Sequence, residues 1–164
     1  MSLPAWAEVS ASRRAHIERV VALLGTWADA MRVSPQERDR WIRAGWLHDA
    51  LRDAQLGNRT AHGPAAADRA AAAGERDRGV LDAVRYHTLG SAEWDDVGRM
   101  LYLADYLEPG RSLPEGPDLA RRVPGERDAV LKDVARRRLE WTIRSGWPLR
   151  AETVAFWNQL VGPS

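Results

Sequence analysis

The chain has 164 residues, 45% of them hydrophobic, and 24 basic against 23 acidic residues give a net charge of +1, which suits one domain spanning residues 1–164 with a core of its own. The two signs are interspersed, so bulk charge does not favour nucleic acid as a partner, and no apolar run approaches the roughly eighteen residues of a membrane span. Cysteine is absent, which excludes disulfides, thiolate metal sites, iron–sulfur clusters and cysteine nucleophiles, so any metal must sit on nitrogen and oxygen.

From Ser12 onward, Ile17, Val20, Val21, Leu24, Trp27, Ala28 and Met31 recur at three- and four-residue steps. This spacing predicts a helix with one buried face that carries His16 near its start. Ser34-Pro35-Gln36-Glu37 offers an N-cap serine, a proline at the first helical position and a glutamate spaced for a capping box, so a second helix is expected over Pro35 to Asp49. After a loop from Arg52 to Thr60, the alanine-rich stretch Pro64 to Ala73 and the spacing of Val80, Leu81 and Val84 within Asp77 to His87 predict two short helices, separated near Gly74. Glu93 to Leu107 is expected to be helical and to stop at Glu108-Pro109-Gly110, while Ser112 to Gly125, with three prolines, reads as a loop. A helix over Glu126 to Ser145 should end at Gly146, and a last one over Ala151 to Leu160 follows the break at Trp147-Pro148. No segment alternates with period two, so the fold class is all-α.

The four histidines, His16, His48, His62 and His87, each fall near a helix end or a helix–loop junction, where a side chain can point into a cleft. His48 adjoins Asp49, which pairs a neutral nitrogen ligand with a carboxylate whose two oxygens can bridge two cations. Asp105 follows on the fifth helix. About one helix or helical hairpin separates successive members, so successive helices can each return one ligand to a common centre.

In order, His16, His48-Asp49 and Asp105 resemble the metal-dependent phosphohydrolases of the HD-domain type. His62-Gly63, His87-Thr88-Leu89-Gly90 and Ala104-Asp105-Tyr106-Leu107-Glu108-Pro109-Gly110-Arg111 sharpen this to a resemblance to the YqeK family, which hydrolyses diadenosine tetraphosphate symmetrically to two ADP. The resemblance runs from His16 to about Asn158 and implies an HD-domain helical bundle. It also implies that His16, His48, Asp49 and Asp105 hold one metal, with Asp49 bridging to a second held by His62 and His87. Water acidified by the ions would then attack phosphorus in line, with no protein nucleophile. Iron is the expected metal, with manganese, zinc and magnesium as alternatives for an all-nitrogen-and-oxygen site.

Asp49 and Arg52 are expected in the catalytic machinery, although Arg52 stands where many members of the family have lysine. Arg13, Arg52, Thr88 and Arg111 are expected to contact the substrate, because Arg13 shares a helical face with His16, Arg52 follows Asp49 by one turn's length and Arg111 closes the Glu-Pro-Gly-Arg turn. Asp53 reads better as a loop or cap carboxylate than as a proton carrier. Residues 148–153 are a candidate lid over the nucleotide. Trp27, Trp41 and Trp46 sit at helical intervals as packing anchors, and no tryptophan is assigned to a ligand. Arg136-Arg137-Arg138, flanked by Asp133 and Glu140, reads as a solvated helix face.

The expected partner is a dinucleoside polyphosphate with ADP as product, in a cytoplasmic protein that lacks a signal-peptide pattern and whose oligomeric state the sequence leaves open. Another HD-type nucleotidase or phosphatase is the alternative within enzymes. A non-catalytic helical binding module is the alternative outside them.

Overall fold

The computed structural model describes residues 1–163, which form seven helices and no strand. Helix α1 spans Ala11–Ala30. The Ser10 side chain caps it by accepting the Arg13 N–H, and its buried face carries His16, Ile17, Val20, Leu24, Trp27 and Ala28, as the apolar spacing requires. Helix α2 spans Pro35–Leu47, with Ser34 as N-cap accepting from the Glu37 N–H. Only half of the expected capping box forms, because the Glu37 carboxylate accepts from Trp41 Nε1 and Arg40 Nη1 instead. The helix stops two residues short of the expected Asp49, and His48 is its C-cap.

Helices α3 (His62–Ala72) and α4 (Arg78–Tyr86) pack against each other. Ala66, Ala67 and Ala70 are buried at the small-residue face that lets them do so. Gly63 is needed at the closest approach: a Cβ there would lie 2.8 Å from the Arg85 carbonyl oxygen. Helix α5 (Asp96–Leu107) begins at an Asp95 cap. It buries residues on every side and touches α1, α2, α4 and α6, which makes it the central element, and a helix that is apolar all round belongs inside.

The expectation of a loop over Ser112 to Gly125 is corrected from residue 116 on: α6 runs from Gly116 to Arg144, with a break at Glu126 (φ −135°, ψ 36°). Pro117 lies in the first turn, where a missing N–H costs little. Pro124 cannot donate to the carbonyl of Ala120, and the Trp27 indole N–H fills that acceptor at 3.0 Å. A packing partner from α1 thus compensates the bond that proline removes. Leu119 and Val123 before the break, and Val130, Leu131 and Val134 after it, are all buried.

Helix α7 (Ala151–Val161) folds back on α6 and is anchored by Phe156. That ring meets Trp94 and Tyr102 edge-to-face, at centroid distances of 5.2 and 5.3 Å. Gly90, at φ 86°, passes directly under Phe156, and a Cβ there would collide with the ring. Left-handed backbone and close approach both call for glycine at this position. Trp27 and Trp41 are buried anchors, as expected, and Trp46 is half-buried.

Candidate metal centre

Two of the histidines are positioned by the same local device. His48 ends α2 and donates Nδ1–H to the Gly45 carbonyl at 2.8 Å; His87 ends α4 and donates Nδ1–H to the Val84 carbonyl at 2.7 Å. A carbonyl only accepts, so in each ring the proton sits on Nδ1 and the Nε2 lone pair faces inward. His62 opens α3 and His16 lies in the second turn of α1, while Asp105 sits near the end of α5 and Asp49 in the turn after α2. All six are at most 7% exposed.

These side chains converge in two groups that share Asp49. Asp49 Oδ2 faces His16 Nε2 at 3.6 Å and His48 Nε2 at 3.7 Å, and the two imidazole nitrogens are 3.4 Å apart. Asp105 Oδ1 joins this group from the far side, 3.1 Å from His16 and 3.8 Å from His48. Asp49 Oδ1 faces the other way, 3.2 Å from the Nε2 atoms of both His62 and His87, which are 3.1 Å from each other. Ligand atoms held about 2.0 to 2.2 Å from one ion are about 3 to 3.6 Å apart. The spacings and the donor chemistry of both groups therefore fit a metal ion.

The charge states of His48, His62, Asp49 and Asp105 suit the same role. Burial lowers the His48 pKa to about 4 and also lowers that of His62, so both are neutral ligands at neutral pH. Burial alone would raise Asp49 and Asp105, yet the surrounding imidazoles, with Arg138 beside Asp105, outweigh it and keep both carboxylates ionised far below the usual range. His16 moves upward, because Asp105, Glu108 and Asp49 together outweigh its burial.

Glu108, which the sequence reading quoted only as part of a motif, is a buried carboxylate 3.1 Å from His16 Nδ1. Its other oxygen accepts from Arg19 Nε and the Gly110 N–H. It thus fixes the tautomer and orientation of His16 from behind. The glutamate in Glu-Pro-Gly-Arg was the available signal, but its direction depends on the turn after α5.

The four expected substrate contacts separate. Thr88 and Arg111 line a cavity of about 920 Å³ that opens at Asp105, and Arg111 Nη2 also reaches Asp105 Oδ1 at 3.1 Å. Arg13 donates to Asp49 Oδ2 at 2.8 Å and is not in the cavity wall. Arg52 is half-buried on the turn after Asp49, also outside that wall, and its charge acts on His62. Asp53 accepts the Ser10 N–H at 2.8 Å and ties its loop to the start of α1. Residues 148–150 and Thr153 form part of the cavity wall.

The reading of Arg136-Arg137-Arg138 as a solvated face holds for Arg136, which is exposed and paired with Asp133 and Glu140, and is corrected for Arg138, which is half-buried and turned toward Asp105; all three border the cavity. Arg138 stacks on Tyr102, 4.2 Å from the ring centroid, with Nη1 3.9 Å from Asp105 Oδ2 and without a hydrogen-bond partner. Three consecutive arginines on a helix point in directions about 100° apart, so the sequence alone does not say which of them turns toward Asp105.

No helix of the described residues is long and apolar enough to cross a membrane. A solved structure from Clostridium acetobutylicum, described as a predicted HD superfamily hydrolase involved in NAD metabolism, superposes with a TM-score of 0.79 over 93% of this chain and 90% of its own, at 21% identity. At that identity the likeness establishes the all-α fold. The chain is 28% identical over 92 residues, 56% of its length and 50% of the relative's, to the symmetrical bis(5′-nucleosyl)-tetraphosphatase of Bacillus subtilis (strain 168). It is 28% identical over 120 residues, 67% and 62% of the two lengths, to the protein of the same name from Staphylococcus aureus. The matched region thus spans roughly half to three fifths of these relatives' length. The HD domain family model matches residues 13–110, more than half of the chain and the whole stretch from Arg13 to Gly110 that contains both side-chain groups; the chain belongs to the HD domain family.

Proposed function

We propose that this chain is a metal-dependent phosphohydrolase of nucleotides, its seven helices acting as one domain, and that its substrate is diadenosine tetraphosphate, cleaved symmetrically to two ADP. The observation that carries the reading is Asp49, whose two oxygens each face a separate pair of histidine Nε2 atoms. In this reading His16, His48, Asp49 and Asp105 hold one metal and Asp49, His62 and His87 a second, with iron as the expected ion. Such ions supply a water acidified to near neutral pH and Lewis-acid stabilisation of phosphate oxygens.

The protein's own contribution is placement and charge. His48 and His87 are locked by their carbonyl partners and His16 by Glu108, so the ligands need little reorganisation. Arg13 holds Asp49 from outside the cavity, a positioning role. Arg52, outside the cavity wall, acts on His62 through its charge. Thr88, Arg111 and Arg138 face the space beside Asp105 and offer donors to phosphate oxygens, where bidentate guanidinium contacts suit the geometry. Water adds to a central phosphorus and releases a proton to solvent, the bridging P–O bond breaks, and one ADP leaves with the electron pair while the other retains the new oxygen. The relatives' shared name and the cationic wall beside the centre support the substrate.

The test combines metal analysis with product chromatography for the wild type and Asp49→Ala. About two metals per chain and ADP as sole product, both lost in the variant, is the expected result. Bound metal with other nucleotides cleaved in preference would reassign the substrate, and wild-type protein that takes up no metal would overturn the catalytic reading.

A further inference from the structure

Trp141 and Trp147 are 50% and 46% exposed, and they are the only exposed residues among the eight tryptophans. Both line the cavity that begins at Asp105. Their placement is set by the backbone at the end of α6. Gly146, at φ 73°, lets its own N–H bond the Ile143 carbonyl and lets the Trp147 N–H bond the Thr142 carbonyl at 3.1 Å. This is a Schellman turn, which brings the residue after the glycine back beside the last turns of the helix, and Trp141 is there. Such a turn accounts for two indoles on one side of the helix end.

The Arg59 guanidinium lies over both rings, 4.7 Å from the Trp147 centroid and 5.7 Å from that of Trp141. Its contacts among the described residues are these two indoles rather than a carboxylate. A planar group is thus already held against the exposed aromatic faces. Arg138, which reaches Asp105, is three residues before Trp141, on the same helical face and about 4.5 Å nearer the metal centre along the axis. From Asp105 outward the wall therefore presents a guanidinium for phosphate and then an aromatic platform.

We propose that Trp141 and Trp147, with Arg59 as a movable planar cover, form a nucleobase subsite for the nucleoside whose phosphates lie on Arg138 and Arg111. The inference rests on the nucleotide reading above and extends it from the phosphates to the base. Stacking on an indole tolerates any base, so the subsite selects nucleotides over bare polyphosphate rather than one base over another.

The experiment is equilibrium binding of three probes to the metal-loaded protein: a methylene-bridged, non-hydrolysable diadenosine tetraphosphate, ADP, and inorganic tripolyphosphate. Trp147→Ala and Trp141→Ala should each weaken the two nucleotides on the order of tenfold and leave tripolyphosphate unchanged, with Trp147→Phe restoring most of the loss. Unchanged nucleotide affinity in both alanine variants, or an equal loss for tripolyphosphate, would overturn the subsite. Wild-type protein that binds ADP but not the dinucleotide defeats the tetraphosphate substrate alone, and the subsite is then judged on ADP. A wild type that prefers neither nucleotide to tripolyphosphate defeats the subsite itself.

Discussion

The buried centre and the cavity wall that meets it at Asp105 are built on opposite principles. At the metal end, six side chains from five different segments are buried, and His16, His48 and His87 are each held by a partner behind the ring. At the α6–α7 end, long arginines and two exposed indoles stand on the surface of one helix and the turn after it. The HD domain match covers the first end and stops at residue 110, before the second begins. In the proposed reading, the difference teaches that rigid, desolvated ligands serve phosphoryl chemistry, whereas guanidinium groups and flat apolar faces on a surface helix serve recognition of the substrate.

Removing the shared carboxylate should break the comparison most completely. Asp49→Ala is expected to abolish hydrolysis of every substrate and to lower metal content, measured by elemental analysis, while ADP-independent features of the α6–α7 wall, such as Trp147 exposure to a quencher, stay as they are. Next is the joint between the two ends. Phe156→Ala empties the aromatic cluster that holds α7 to Trp94 and Tyr102, and a loss of about 3 to 5 kcal/mol in denaturant unfolding is expected.

Glu108→Gln tests the metal end more finely. It keeps the shape but removes the charge that holds His16, so metal affinity should fall by about 10- to 100-fold while the Kd for tripolyphosphate contacts on α6 changes little. Arg138→Ala is the reciprocal change: metal content is expected to be unchanged, and KM for the nucleotide to rise about tenfold, in line with the loss of one charged hydrogen bond. A variant that loses metal instead would show that the two ends are not separable.

The smallest effect lies away from both ends. Asp77 caps α4 and its pKa is depressed, chiefly by the Arg40 hydrogen bond. A depressed carboxylate contributes stability above its unfolded value, near about 3.9, and loses it as pH falls through the folded value. Asp77→Asn keeps an acceptor for the cap, so it should narrow the gap in unfolding free energy between pH 7 and pH 3 by under about 1 kcal/mol. An unchanged gap would assign the acid sensitivity to the buried Asp49 and Asp105.

The sequence by itself determined the all-α class, because apolar spacing, Ser10 and Ser34 caps and the Gly146 stop are local signals that act within a few residues of where they are written. It also determined which residues to suspect at the centre, since histidines and aspartates that share a family order need no geometry to be noticed. Only the tertiary structure decided that Asp49 presents one oxygen to each histidine pair, that Glu108 stands behind His16, and that Thr88 and Arg111 reach the cavity while Arg13 and Arg52 do not. It decided, too, that residues 116–125 are helical, because the Ala120 carbonyl left by Pro124 is filled by Trp27 from 93 residues away. Only the fold brings Arg138, on the same helix, to within 3.9 Å of Asp105. A helix pattern states which residues share a face, and only the contacts of the folded chain state what that face meets.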